Sequence, residues 1–179
     1  MAAFKIAFNI TGGCEGGYSF VGTDLGGETY KGISRKWNPY WEGWALIDMY
    51  KAKAGGKLKR YTIIKNKLLD EMVETLYYKK YWTPIQGDKI NSQRLANILY
   101  DWYVTSEDDA VKALQLMANC KVDGDLGPKT LKAVNELDED YAVKWLKFYR
   151  GEFYHRLVKD DPRQAPNLEG WLKRNESFA

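Results

Sequence analysis

The sequence predicts a mainly α protein with one short non-helical segment near its start. Apolar residues recur with helical spacing over most of the chain from residue 37 onward. By contrast, residues 18 to 35 are rich in Gly and Thr and carry no helical period, so an irregular loop or small β-hairpin is expected there. Apolar and aromatic contents of 45% and 15% are those of a packed chain and exclude a disordered one.

Taken in order, residues 4 to 10 alternate apolar and polar through Phe4, Ile6, Phe8 and Ile10, which by periodicity alone reads as a strand. After the Gly-rich segment, Trp37, Trp41 and Trp44 fall at i, i+4 and i+7 and read as one helical stripe. Leu68, Leu69, Met72, Val73, Leu76 and Tyr77 give a second amphipathic pattern, broken at Thr83-Pro84 and the Gly87-Asp88 turn. Ser92 is placed to cap a helix carrying Leu95, Ile98, Leu99 and Trp102. Ser106, followed by Glu107, Asp108 and Asp109, opens another with Val111, Leu114 and Met117, because acidic side chains favour a helix N-terminus. Pro128 suits a first helical position ahead of Leu131, Val134 and Leu137. Tyr141, Trp145, Phe148 and Tyr149 mark a further long helix, and Pro162 to Pro166 a loop before a last turn or helix at Leu168, Trp171 and Leu172.

Chemistry concentrates at the Gly-rich segment. Glu15 lies in Cys14-Glu15-Gly16-Gly17-Tyr18, with Asp24 and Thr29 following before Tyr30-Lys31-Gly32. One carboxylic acid, a second carboxylate and a hydroxyl, carried by residues that turn sharply, meet the needs of glycosidic bond cleavage: one group protonates the leaving oxygen and another places a water. An acidic residue beside glycines is also what a solvated turn looks like. Glu28 is the weaker substitute for Asp24, since a carboxylate beside Thr29 could equally point to solvent.

The segment resembles the N-terminal motif of glycoside hydrolase family 108, in which the Glu of the E-G-G-Y word is the catalytic acid. The resemblance continues through Tyr81-Trp82-Thr83-Pro84-Ile85 and Leu95-Ala96-Asn97-Ile98-Leu99-Tyr100-Asp101-Trp102. Ala110 to Met117, then Val122-Asp123-Gly124-Asp125-Leu126-Gly127-Pro128, resemble the peptidoglycan-binding-like region that closes such proteins, and Gly170-Trp171-Leu172-Lys173-Arg174 is of the family type. The chain departs from the family after Asp101, where many relatives carry an Asn-Ser-Gly turn and this sequence has Thr105-Ser106-Glu107.

That resemblance implies a lysozyme-like helical fold, with residues 1–105 as the catalytic region and residues 106–179 as a peptidoglycan-binding-like helical region. Because two halves this small would each be marginal alone, the second is expected to pack on the first as one compact unit. The resemblance replaces the strand reading of residues 4 to 10 with a helix that delivers Glu15 at its end. There the helix dipole and burial would both disfavour an ionised carboxylate, as a general acid requires. It further implies N-acetylmuramidase activity between N-acetylmuramic acid and N-acetylglucosamine, with Glu15 as general acid and Asp24 and Thr29 holding water or stabilising oxocarbenium charge, by inversion. Two alternatives stay open. A lytic transglycosylase would use Glu15 and leave anhydro ends, while a non-catalytic wall-binding or secretion-assisting protein would leave walls intact.

Other features bound the partners. A net charge of +3 is too mild to indicate nucleic acid, and no apolar run reaches membrane-spanning length, so neither nucleic acid nor stable membrane insertion is expected. The expected partner is the peptidoglycan glycan strand, bound by a monomer. Lys51, Lys53, Lys57, Lys59, Arg60, Lys65 and Lys67 precede Asp70 without an intervening acid, a solvated basic face or one drawn to the anionic wall. The 7 Trp and 13 Tyr exceed what a core of this size needs, so some are expected as exposed platforms for sugars. Cys14 and Cys120 read as free thiols, and His155 has no companion ligands; no metal or organic cofactor is expected. Asp123-Gly124-Asp125 lacks the later ligands of a calcium loop and reads as a turn. Met1 to Lys5 lacks a basic region leading into a long apolar core, so the expectation is cytoplasmic synthesis without a recognisable signal peptide. Action at the wall or periplasm would then follow holin-like or other release, as for an endolysin or secretion activator.

Overall fold

A computed structural model describes residues 1–12, 16–20 and 27–178. Seven α-helices and one small sheet make up most of the regular structure among them: α1 (Phe4–Thr11), β1 (Tyr18–Phe20), β2 (Glu28–Tyr30), β3 (Ile33–Ser34), α2 (Gly43–Lys53), α3 (Lys67–Tyr77), α4 (Gln93–Met117), α5 (Pro128–Asn135), α6 (Glu139–Asp160) and α7 (Ala165–Glu176). A π turn at Tyr78–Trp82 and 3-10 turns at Gly87–Lys89 and Pro162–Gln164 add to these. The fold class is the mainly α, lysozyme-like one with a small β segment. The chain forms two compact units, one of residues 1–11 with 79–179 and one of residues 12–78.

The larger unit is helical. Residues 4 to 10 are helix and not strand, and burial shows why: the Phe4 and Phe8 rings meet with centroids 5.2 Å apart, tilted by 36°, while Ile6 and Ile10 are exposed, so the four apolar side chains do not share one face. Helix α1 packs on α4, α4 on α6, and α6 on α7. Phe4, Trp82 and Tyr100 form an aromatic cluster with centroids 5.6 to 5.9 Å apart. Trp82 fits because residue 87 is Gly; a Cβ there would fall 2.2 Å from the indole. Its Nε1 donates to Asp88 Oδ1 at 2.9 Å.

Helix starts follow the predicted chemistry. Ser92 Oγ accepts from Leu95 N at 3.0 Å and Pro128 opens α5, as expected, while α6 starts at a cap the sequence reading did not single out, Asp138 accepting from Tyr141 N at 2.9 Å. Ser106 and Glu107 leave helical geometry (φ −145° and 18°), so α4 is two helical runs joined at a kink. The segment at Pro162 is not a loop: Pro162–Gln164 is a 3-10 turn, and α7 starts at Ala165 with Pro166 in its first turn, where a missing N–H costs nothing. Asp123-Gly124-Asp125 is a turn clamped by the buried Gln115. Its amide donates to Asp123 Oδ1 (2.7 Å) and Asp125 O (3.0 Å), and its carbonyl accepts from Asp123 N (3.0 Å) and Gly124 N (2.9 Å).

One buried ion cluster joins α4, α6 and α7. Asp101 and Arg150 are both fully buried, and Arg150 Nη2 donates to Asp101 Oδ2 at 2.7 Å. Arg174 reaches the same carboxylate through Nε at 3.1 Å and caps the end of α1 by donating from Nη2 to Thr11 O at 2.7 Å. Arg150 Nε also donates to Tyr154 Oη at 2.7 Å.

The smaller unit has a three-stranded antiparallel sheet in the order β1-β2-β3, tied to α2 by the Lys51–Glu28 pair, and α2 packs on α3. Tyr18 pairs with Tyr30, Ser19 with Thr29, Thr29 with Ser34 and Tyr30 with Ile33. Lys31 and Gly32, both left-handed at φ 46° and 77°, make the two-residue hairpin turn between β2 and β3. Lys31 is anchored to Asp70 at 2.7 Å, and Tyr77 Oη donates to Lys31 O at 3.0 Å.

Helix is less continuous here than periodicity suggests. Helix α2 begins only at Gly43, so Trp37, Trp41 and Trp44 do not form one helical stripe. Asn38 precedes Pro39, which disfavours helix, and the Asn38 side chain donates to Ser34 O at 3.0 Å. Trp44 is buried and donates Nε1 to Asn38 O at 2.8 Å, whereas Trp37 is 68% exposed. Gly55 and Gly56, at φ 80° and 95°, end α2, and the chain runs without helix to Asn66, whose side chain accepts from Leu69 N to cap α3.

Candidate active site

Of the three residues expected to act, Glu15 and Asp24 lie outside the described residues; Thr29 lies within them. Cys14 is outside as well, while Cys120 is a free thiol. What the structure defines is the frame on either side of Glu15.

Upstream, α1 ends at Thr11 and Gly12 turns left-handed at φ 76°. Downstream, Gly16 is again left-handed at φ 81°, a conformation that glycine adopts without the Cβ conflict of other residues. Gly17 is demanded by space: a Cβ would lie 2.5 Å from Thr62 O and 2.6 Å from Tyr61 O. The E-G-G-Y word therefore combines one glycine for conformation and one for a close backbone approach. The approach is fixed by Tyr18 N donating to Thr62 O at 2.8 Å and Tyr61 N donating to Tyr18 O at 2.7 Å.

Thr29 occupies the middle of β2. Its register partners are Ser19 and Ser34, so three hydroxyl residues run across the sheet, all half-buried. Thr29 Oγ1 donates to Ser19 O at 3.5 Å, the long limit of a hydrogen bond and a hold easily exchanged for a water.

Glu28, adjacent in sequence, faces the other way, because alternate strand residues point to opposite faces. It does not point to solvent. Its carboxylate, 11% exposed, accepts from Lys51 Nζ at 2.6 Å, Arg35 Nη1 at 2.7 Å and Tyr18 Oη at 2.9 Å. Burial on its own would raise this carboxyl, but the hydrogen bonds from Lys51, Arg35 and Tyr18 outweigh it and hold Glu28 below its ordinary value. A group held so firmly ionised is an anchor for the sheet and a poor proton donor. Arg35 completes the anchor by clasping Asp48 through two bonds of 2.8 and 2.6 Å, which lowers the Asp48 carboxyl. Sequence reasoning missed this four-residue clasp: Asp48 and Lys51 are i,i+3 neighbours on α2, but Glu28 and Arg35 come from the sheet segment and meet them only in the folded chain.

The described residues contain no group of three or more His, Cys, Asp or Glu side chains able to hold a metal, and His155 is exposed. Exposed aromatic side chains do occur in this unit: Phe20 at 63%, Tyr61 at 66%, Trp37 at 68% and Tyr40 at 95%. Among the described residues, no helix is long and apolar enough to cross a membrane.

Comparison with known proteins bears on this frame. The family model for Glycosyl hydrolase 108 matches residues 8–106, and the one described as Predicted Peptidoglycan domain matches residues 109–176. Eleven chains of solved structures match. One of them, "Structure of Brucella abortus SagA", is 24% identical, covers 98% of this chain and 94% of that chain, and superposes with a TM-score of 0.61, a likeness of fold. No curated protein matches. With more than half of its length under the first family model and the E-G-G-Y frame at the end of α1, the chain belongs to the glycosyl hydrolase 108 family, and its role is a peptidoglycan-related one of hydrolysis or binding.

Proposed function

We propose that this protein is an N-acetylmuramidase that cleaves the peptidoglycan glycan strand between N-acetylmuramic acid and N-acetylglucosamine. The observation that carries the reading is the match of residues 8–106 to Glycosyl hydrolase 108, with Glu15 on the family's acid position and glycines 16 and 17 both required by local geometry.

In this mechanism Glu15 is protonated when substrate binds. Its proton passes to the glycosidic oxygen as the bond from that oxygen to the muramic acid anomeric carbon breaks. Asp24 and the Thr29 hydroxyl orient a water on the opposite side. The water oxygen bonds to the anomeric carbon, its proton passes to Asp24, and the anomeric configuration inverts. Glu28 keeps β2, and with it Thr29, in place. No metal or organic cofactor is needed for this chemistry.

Glu15→Gln retains the size of the side chain but cannot donate the proton, so wall lysis should fall by about 10²–10⁴-fold with thermal unfolding unchanged. Thr29→Ala and Asp24→Asn should each lower turnover less than this, because the two share the water. Turbidity loss of purified walls measures all three. A Glu15→Gln protein that lyses walls at a wild-type rate removes Glu15 from the mechanism.

A further inference from the structure

The stretch from the end of α2 to α3 carries Lys53, Lys57, Lys59, Arg60 and Lys65, and no acidic residue lies between Asp48 and Asp70. All five side chains are exposed. The carboxylates that bound the segment are already engaged, Asp48 by Arg35 and Asp70 by Lys31. Among the described residues, the positive charge of this strap has no carboxylate partner within ion-pair distance.

The strap is not a loose charged loop. Its inner side is pinned at residues 61 and 62 by the two backbone bonds to Tyr18, and at Ile64 by Tyr30, whose hydroxyl accepts from Ile64 N at 3.2 Å. Ile64 is buried, while Tyr61 and Ile63 are 66% and 59% exposed, so the outer side presents apolar surface among cations. Arg60 lies over the Tyr61 ring at 4.7 Å. Gly17, two residues beyond Glu15, is the position whose missing Cβ lets the strap backbone seat there. An ordered, cationic and partly apolar surface is therefore built directly onto the motif that carries the proposed acid.

A strand without its peptides offers such a surface less, because each disaccharide then carries a single lactyl carboxylate and no apolar side chain. The short peptides attached to muramic acid combine free carboxylates with small apolar side chains, which matches both the charge and the apolar character of the strap. We propose that residues 57–65 dock the anionic peptide stems of peptidoglycan, so that this chain distinguishes peptide-bearing strands from bare ones. The inference rests on the wall-directed reading of the site for the identity of the ligand, and its binding step needs no turnover.

The test uses the full chain carrying Glu15→Gln, so that strands are not consumed. It compares affinity for endopeptidase-solubilised, peptide-bearing strands with affinity for the same strands stripped by an amidase. Peptide-bearing strands should bind about tenfold tighter, as a few surface ion pairs would give, with the preference shrinking as salt is added. Replacing Lys57, Lys59, Arg60 and Lys65 together by Gln should abolish the preference, and free stem peptide should compete with peptide-bearing strands. These side chains are exposed, so the replaced protein should unfold at the parent temperature. Equal affinity for the two strands, or a preference that survives the replacement, overturns the inference. So does binding to phosphatidylglycerol vesicles that the replacement removes while the wall preference persists, which would assign the strap to a lipid surface. A wild-type chain that lyses walls without any preference sinks the docking inference alone. A chain that shows the preference but releases no saccharide sinks the hydrolase reading and leaves the docking inference standing.

Discussion

The unit of residues 12–78 and the helical unit of residues 1–11 and 79–179 both bury some aromatic side chains and expose others, yet they are held together in different ways. In the helical unit Phe8, Trp82, Tyr100 and Trp102 are fully buried, and the ionic cluster there is built around an Asp and an Arg that are themselves buried. In the smaller unit Trp37, Tyr40 and Tyr61 face solvent, and strands of two or three residues are held by the clasp of Glu28, Arg35, Asp48 and Lys51. The first arrangement stabilises by removing apolar surface from water. The second keeps surface available for a ligand and relies on partly exposed ion pairs to hold short strands, as expected where function and not packing sets the sequence.

The sharpest way to break this comparison is to remove the C-terminal part of the helical unit. We propose that residues from Ser106 onward complete the core with α1 and the first run of α4, because Asp101 takes both of its guanidinium partners from α6 and α7. A chain ending at Thr105 would leave Asp101 and the α4 face that meets α6 exposed. It should be insoluble or molten, with no cooperative unfolding transition; a soluble, cooperatively folding, active fragment would contradict the shared core.

A smaller but still large effect is expected at the cluster itself. Asp101→Ala leaves Arg150 buried without its counter-charge, and breaking a buried pair in this way costs about 3–5 kcal/mol. Chemical denaturation should show the loss as a shifted midpoint. A shift no greater than that of an exposed Asp→Ala replacement would mean the cluster is not buried in solution.

The clasp of the smaller unit should give the mildest effect, and one that depends on pH. Because Glu28 has a depressed value when folded, its contribution is present above the unfolded carboxylate value, about 4.3, and is lost as pH falls through the folded value. Wild-type stability should therefore drop on acidification from about pH 5. Glu28→Gln should lower stability at pH 7 by on the order of 1–3 kcal/mol and flatten the acid limb. Parallel acid limbs in the two proteins would show that Glu28 is not the anchor described.

The two units were unequally legible in the sequence, for physical reasons. Helices α3 to α6 announce themselves through apolar spacing and through Ser92 and Pro128 at their starts, because a helix is specified by residues near each other in the chain. Residues 4 to 10 mislead by period: Phe4, Ile6, Phe8 and Ile10 alternate like a strand, yet only Phe8 is fully buried, and the family resemblance gave the helix that the pattern hid. The tryptophan stripe failed because Asn38-Pro39 breaks the helix before Gly43, a local signal stronger than the spacing of three side chains. At the frame of the proposed site, the glycines of the E-G-G-Y word could be singled out from type and order. The anchor role of Glu28 could not, because its partners Arg35 and Lys51 reach it only once the sheet and α2 have folded.

The central claim, that Glu15 protonates the bond between muramic acid and glucosamine and water completes the cleavage, is met most directly by the chemistry of the new chain ends. Mass spectrometry of purified peptidoglycan digested by the wild-type chain, with borohydride reduction to mark reducing ends, should find reducing N-acetylmuramic acid. These ends should be absent from digests with Glu15→Gln. Anhydro-muramic ends would mean that the muramic acid 6-hydroxyl and not water completes the reaction, reducing N-acetylglucosamine would move the cleaved bond, and walls left without new ends would contradict hydrolysis altogether.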